Sequence, residues 1–196
     1  MKEIILGTTG KKMPAIVIGC MRLADKNCVE MQNFIHKVLE QGAFYFDHAD
    51  IYGGGQSESI FGEAISKDKS IKRENLFLQS KCGIRKGFFD FSKKHIISSV
   101  DGILKRLNTE YLDALLLHRP DALVEPEEVA RAFDELKTSG KVRAFGVSNQ
   151  NPYQIQLLQN SLDMPLCVNQ LQFGIMHSSM IQSGINVNMY NDSAIN

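Results

Sequence analysis

The sequence predicts an α/β protein built as a (β/α)8 TIM barrel, with only about six β/α units present in its 196 residues. Three observations lead there. Short apolar runs alternate strictly with segments of helical period. No G-x-G-x-x-G follows an early strand, and no P-loop occurs. Polar side chains stand at the ends of several runs rather than around one crevice. Strict alternation implies parallel strands joined by right-handed crossovers, but alone it does not separate a closed barrel from an open doubly wound sheet. The missing dinucleotide fingerprint and the spread of polar groups favour the barrel.

The elements follow in order. Lys2 to Ile18 places Gly10-Lys11-Lys12 between two apolar segments, which predicts an N-terminal β-hairpin over about 2–15. Its second arm, Ala15-Ile16-Val17-Ile18, leads towards the first barrel strand. Met31, Phe34, Ile35, Val38 and Leu39 recur at helical spacing until Gly42. Ala43-Phe44-Tyr45-Phe46 reads as a strand ending at Asp47. The next helix carries Ile60, Phe61, Ala64 and Ile65 on one face, with Ser57 as its expected N-cap. A strand over 75–81 precedes a helix bearing Ile96, Val100, Ile103 and Leu107. A strand over 111–118 precedes a helix with Val129, Ala132, Phe133 and Leu136 that stops at Gly140. A strand at 142–147, a helix near 152–161 and a strand at 166–171 complete the alternation.

A full barrel of this kind takes eight strands and about 250 residues. Met176 to Asn196 is polar and Asn-rich, so two strands are expected to be missing. The expectation is a single, incomplete barrel domain over 1–196, part of something longer, whose open edges favour self-association.

Composition narrows the function classes. The chain is 43% apolar and 22% charged, as ordinary globular domains are. Its 22 Lys plus Arg balance 22 Asp plus Glu, so no global field favours nucleic acid or an anionic membrane. Lys67, Lys69, Lys72 and Arg73 read as a solvated connector. The first residues are too short in apolar length for a signal peptide, and no run approaches the roughly 18 residues of a membrane span. Cys20, Cys28, Cys82 and Cys167 form no C-x-x-C pair, so reduced thiols and a cytoplasmic location are expected. His36, His95 and His177 lack metal-ligand companions at useful spacing, and His48 reads as packing.

Asp47, Tyr52, Lys81 and His118 each fall at or just after the end of an apolar run. In a parallel α/β protein such positions converge on one face, where active sites lie. A carboxylate, a phenol, an ammonium and an imidazole together make a proton-transfer device. A free phenol has a pKa of about 10, too high for proton donation and return at neutral pH, and a neighbouring ammonium stabilises phenolate. A carboxylate keeps that ammonium charged and fixed, while an imidazole holds a carbonyl oxygen near the phenol. These groups polarise a carbonyl but supply no reducing equivalent, so a hydride donor must bind alongside. Gly53-Gly54-Gly55 lacks a following Lys-Ser/Thr and reads as a turn-permitting loop rather than a phosphate cradle.

The chain resembles the aldo-keto reductase superfamily. The resemblance is carried by Phe46-Asp47-His48-Ala49-Asp50-Ile51-Tyr52-Gly53-Gly54-Gly55 with Ser57-Glu58, and by Gln79-Ser80-Lys81. It continues through Leu115-Leu116-Leu117-His118-Arg119-Pro120-Asp121, Gly140 to Asn149 and Val168-Asn169-Gln170, in family order. Gly19-Cys20-Met21-Arg22-Leu23 and the His-Arg-Pro-Asp form most resemble the bacterial YdhF-like branch. The resemblance implies reduction of a small-molecule aldehyde or ketone with NADPH. It casts Tyr52 as general acid, Lys81 and Asp47 as its activating pair, and His118 as the substrate-orienting imidazole. It casts Ser148, Asn149 and Gln170, together with Asp47 and the Gly19, Cys20 and Met21 stretch, as cofactor contacts. In the family, the segments gripping the pyrophosphate and 2′-phosphate follow strands seven and eight, so these 196 residues alone are expected to bind NADPH weakly or not at all. Met21 and Met176 line an apolar substrate wall or fill core. Arg119 and Asp121 pin the loop after His118 or join in an interloop salt bridge. Two competing functions stay open: a non-catalytic binding or regulatory protein of the same fold, and an inactive truncated fragment.

Overall fold

A computed structural model describes residues 1–178 together with 180 and 181. The N-terminal hairpin pairs β1 (Glu3–Ile5) with β2 (Lys12–Pro14), from Glu3 opposite Pro14 to Ile5 opposite Lys12. The barrel strands follow, beginning with β3 (Ile18–Gly19) and β4 (Tyr45–Asp47). After β5 (Phe77–Cys82) comes a small hairpin, β6 (Ile84–Arg85) with β7 (Phe88–Phe89), that the sequence reading did not anticipate. Then come β8 (Ala114–Leu117), β9 (Phe145–Ser148) and β10 (Leu166–Gln170). The six barrel strands lie in the order β10-β9-β8-β5-β4-β3, every neighbouring pair parallel. Several strands are shorter than the sequence reading suggested: β8 keeps Ala114–Leu117 of 111–118, and β9 begins at Phe145 rather than at 142.

Five helices run between the strands: α1 (Cys28–Glu40), α2 (Gln56–Lys67), α3 (Lys93–Leu107), α4 (Pro126–Thr138) and α5 (Pro152–Gln159). Local chemistry sets their starts. Asn27 and Asn151 close capping boxes with Glu30 and Gln154, and the Ser92 hydroxyl accepts from the His95 N–H. The expected cap at Ser57 is not one. The cap position of α2 is Gly55, without a side-chain bond, and the Ser57 hydroxyl donates to the Cys20 carbonyl at 2.6 Å.

Strand alternation sorts side chains into two cores. Outward-facing Phe46, Leu78, Leu115, Leu117, Phe145 and Val147 pack under the helices in one large cluster. Inward-facing Tyr45, Phe77 and Ala114 meet Leu6 and Met13 of the hairpin in a second cluster at the amino ends of the strands. The hairpin thus caps the bottom of the curled sheet. One step higher, Gly146 leaves space that Leu116 enters. A Cβ there would lie 2.6 Å from Leu116 Cδ2 and 2.5 Å from the Val168 carbonyl oxygen.

Arg73 is not a solvated connector residue. Its guanidinium donates to Thr109, to the Leu76 and Tyr111 carbonyls and to Asp113, at 2.8–2.9 Å, tying together the segments that precede β5 and β8. Tyr111 lies between Arg73, 3.9 Å from its ring centroid, and Arg143, at 3.6 Å.

Candidate active site

At the carboxyl end of the sheet the inward-facing positions become polar. Asp47 ends β4, Lys81 lies near the end of β5, and His118 follows β8 directly. Asp47 pairs in register with Gln79, and Lys81 with Leu116. Period-two alternation therefore turns Asp47, Gln79 and Lys81 inward together.

Tyr52 opens a kinked turn, Tyr52–Gly55, that brings its hydroxyl to Lys81 at the strand ends. The turn depends on glycine. Gly53, Gly54 and Gly55 have φ of 58°, 64° and 91°, and a Cβ on Gly53 would lie 2.6 Å from that of Ala24.

The Lys81 ammonium organises the site. Its Nζ donates to Asp47 Oδ1 at 2.6 Å, to the His48 carbonyl at 2.8 Å and to the Tyr52 hydroxyl at 3.1 Å, using all three hydrogens. Both Lys81 and Asp47 are buried. Asp47 in turn accepts from Gln79 Nε2 at 2.6 Å and Gln170 Nε2 at 3.0 Å. Gln79 is fixed by the Tyr45 hydroxyl, which donates to its Oε1 at 2.6 Å. The charged pair therefore sits in a fully bonded layer across the sheet, the condition under which buried charge is tolerated.

His118 faces Tyr52 edge-on, ring centroids 6.0 Å apart and planes at 80°. No side-chain hydrogen bond engages its imidazole among the described residues, and its Nδ1 is buried. Burial, then the charges of Lys81 and Arg119, push its pKa down to about 4, so the ring is neutral at pH 7. Tyr52, Lys81 and His118 open into one cleft of about 420 Å3, lined also by the apolar Met21, Ile51 and Ile84 and the polar Ser148, Asn149 and Gln170.

The sequence profile of the Aldo/keto reductase family matches residues 15–193. The chain belongs to the aldo/keto reductase family. It is 40% identical over 194 residues to oxidoreductase YdhF of Escherichia coli K12, covering 94% of this chain and 65% of YdhF. It is 42% identical over 169 residues to the uncharacterized oxidoreductase YcsN of Bacillus subtilis, covering 80% and 56%. A crystal structure of the thermostable aldo-keto reductase Tm1743, in complex with epalrestat, superposes with a TM-score of 0.78 at 27% identity, over 88% of this chain and 63% of that one. The chain thus spans between about half and two thirds of the length of these relatives. Its six parallel strands form part of the (β/α)8 barrel of this family.

Within this aldo/keto reductase framework, the residues expected to touch a cofactor divide. Ser148, Asn149, Gln170 and Met21 line the cleft. Gly19 and Cys20 do not. Cys20 is fully buried, its thiol pKa raised by burial, and its backbone N–H donates to the Asp47 carbonyl at 2.9 Å. That stretch supports the site through its backbone. Ser148 Oγ donates to the Gln170 carbonyl at 3.1 Å and accepts from Asn149 Nδ2 at 3.0 Å. Each carboxamide nitrogen of Asn149 and Gln170 keeps a hydrogen to spare.

Met176 is 86% exposed and lines neither core nor cleft. Arg119 and Asp121 form no salt bridge among the described residues. Asp121 accepts instead from the Leu123 N–H at 2.9 Å. His48 is packed edge-on against Phe61 at 4.6 Å, and burial holds it neutral, its pKa pushed down to about 3. No group of metal-ligating side chains occurs among the described residues. Nor is any helix among them long and apolar enough to cross a membrane.

One buried feature escaped the sequence. Glu58, fully buried in the first turn of α2, accepts from Ser80 Oγ at 2.6 Å and from Arg106 Nε at 2.8 Å. It ties α2 and α3 to the strand that carries Lys81. Asp50, beside it, has a buried Oδ1 without a hydrogen-bond partner among the described residues. Burial first, then the Glu58 charge, push the Asp50 carboxyl up to about 7. The motif Ser57-Glu58 was visible, but a first-turn acid ordinarily reads as exposed complement to the helix dipole.

Proposed function

We propose that this chain carries the catalytic half of an NADPH-dependent carbonyl reductase, reducing aldehydes or ketones to alcohols. The observation that supports the reading is Lys81 Nζ, which joins the Asp47 carboxylate to the Tyr52 hydroxyl inside the cleft that His118 also faces. Names of relatives agree in class: oxidoreductase YdhF, and a 6-dehydroglucose reductase of Agrobacterium fabrum at 34% identity.

The residues present suit a nicotinamide. Its carboxamide has a donor and an acceptor, and the spare amide hydrogens of Asn149 and Gln170 and the Ser148 hydroxyl face the same cleft as Tyr52. When bound, the nicotinamide supplies the hydride that reaches the carbonyl carbon, and is itself oxidised.

The chain's own groups do the rest. Tyr52 gives its hydroxyl proton to the carbonyl oxygen, completing the alcohol. Lys81 stabilises the phenolate left behind and is held from rotating by its other two hydrogen bonds. Asp47 holds that ammonium in place through its 2.6 Å hydrogen bond. Neutral His118 donates an N–H to the same oxygen, which positions the carbonyl without competing for the transferred proton. Met21, Ile51 and Ile84 offer the carbonyl's substituents apolar contact. The preference for NADPH over NADH rests on the sequence resemblance.

Tyr52→Phe removes one oxygen from a half-buried ring. Under this reading it lowers aldehyde-dependent NADPH oxidation by about 10²–10⁴-fold, the usual contribution of a positioned general acid, while the circular dichroism spectrum stays unchanged. Equal activity in the variant, with cofactor in millimolar excess, refutes the assignment.

A further inference from the structure

We infer that Arg119 selects carbonyl substrates bearing a carboxylate, an inference that rests on reading the cleft as a carbonyl site. Seven arginines occur in the chain. Arg73, Arg85, Arg106, Arg131 and Arg143 are each held in an ion pair. Arg119 is not paired among the described residues, and unlike Arg22 it lines the cleft beside Tyr52, His118 and Lys81. Its guanidinium makes no hydrogen bond among the described residues. Its one acidic neighbour in sequence, Asp121, is turned to its own loop through the Leu123 N–H.

The charge balance of the cleft gives this meaning. No aspartate or glutamate is among the lining residues. The charge of Lys81 is offset by Asp47 at 2.6 Å, and His118 is neutral. The exposed Arg119 side chain therefore leaves one uncompensated positive charge at a cleft whose lining also includes the apolar Met21, Ile51 and Ile84. Low-dielectric walls strengthen that field locally, although the chain as a whole is formally neutral. The planar guanidinium, with its donors free, matches a carboxylate in two parallel hydrogen bonds. A neutral carbonyl compound gains nothing from it.

The same donors would also accept a phosphate of the cofactor, and the experiment separates the two sources. We would measure dissociation constants of 4-carboxybenzaldehyde and its neutral analogue methyl 4-formylbenzoate by NMR titration of the 15N-labelled chain. The chains compared are wild type, Arg119→Met and Arg119→Lys, with kcat/KM for both aldehydes at millimolar NADPH alongside. The wild type is expected to prefer the carboxylate by about tenfold, the effect of one charge-assisted pair in a partly open site. Added salt should narrow that ratio, Arg119→Met should bring it towards one, and Arg119→Lys should restore it only in part.

A wild-type ratio near one overturns the inference, as does a ratio that survives in Arg119→Met. If Arg119→Met weakens NADPH binding and leaves the aldehyde ratio intact, the guanidinium belongs to the cofactor and the inference fails. The two readings fail separately. Turnover without carboxylate preference sinks only this inference, whereas carboxylate preference without turnover of either aldehyde sinks the reductase reading.

Discussion

Replacing Lys81 with methionine keeps an unbranched stem of similar length in the sheet but deletes the ammonium at its tip. In the wild type that ammonium is 2% exposed and lies 2.6 Å from Asp47 Oδ1, itself 6% exposed at the side chain. Removing one partner of a buried pair costs about 3–5 kcal/mol, because the other charge is left uncompensated. Here Asp47 keeps two donors, Gln79 at 2.6 Å and Gln170 at 3.0 Å, so the lower end, about 3 kcal/mol, applies. For a chain of this size each kcal/mol moves the midpoint by about 2–4 °C, giving a fall of about 6–12 °C. Asp47→Asn in the same chain removes the stranded charge and keeps a side-chain oxygen for Gln79. Asp47→Asn/Lys81→Met should therefore lose at least about 1 kcal/mol less than the sum of its parents. Thermal melts followed by circular dichroism at 222 nm read both numbers. A fall under about 2 °C in Lys81→Met, or strict additivity in the double variant, refutes the claim that the pair is a buried, coupled unit.

Gly62→Ala should destabilise although it sits in a helix, where alanine is ordinarily favoured by about 1 kcal/mol. Its Cβ would lie 2.2 Å from the Arg106 carbonyl oxygen of α3, and overpacking of about 1–3 kcal/mol prevails. A raised melting midpoint would contradict that contact. Asp50, raised from 3.8 to about 7, keeps a proton in the folded chain that the unfolded chain releases, so its own contribution to stability falls as pH rises from about 4 to about 7, opposing the histidines. Asp50→Asn should remove that opposing contribution and make stability rise more steeply with pH in urea titrations, and an unaltered slope would exclude Asp50 as a contributor. On the acid side, His48 and His118 are lowered from 6.5 to about 3 and about 4, so their contribution is complete above about pH 6.5 and is lost as pH falls towards 4. NADPH should bind these 196 residues more weakly than micromolar, since the cleft offers its pyrophosphate and 2′-phosphate a single uncompensated cation, Arg119. A micromolar constant from cofactor fluorescence would overturn this.

Periodicity carried the fold reading, because alternation of period two and period 3.6 is written directly in residues such as Phe46, Leu78 and Leu115 against Ile96, Val100 and Ile103. The six parallel strands and five helices fall where those patterns put them. The four chemistry-bearing residues were legible for a related reason: each follows an apolar run, and strand ends in parallel sheets share a face. What stayed hidden depends on contacts across the chain. Gln79 looks like any strand polar residue until Tyr45 and Asp47 are seen bonding it. Glu58 and Arg106 lie in different helices, and nothing local marks their ion pair as half buried. Ser57 has the chemistry of a cap, but the left-handed Gly55 starts the helix earlier and frees the hydroxyl for Cys20. Arg73 stands in a basic stretch that suggests solvent, while its partners come from the β8 side of the sheet.

The proposed reaction has Tyr52, held by Lys81, protonate a carbonyl while a nicotinamide in the same cleft reduces it. Its most direct test supplies the chain with an aromatic aldehyde and millimolar [4,4-²H₂]NADPH and inspects the alcohol by mass spectrometry. The account predicts one deuterium on the carbinol carbon from the wild type and almost no alcohol from Tyr52→Phe. Alcohol without deuterium, or equal labelled alcohol from both chains, would contradict it.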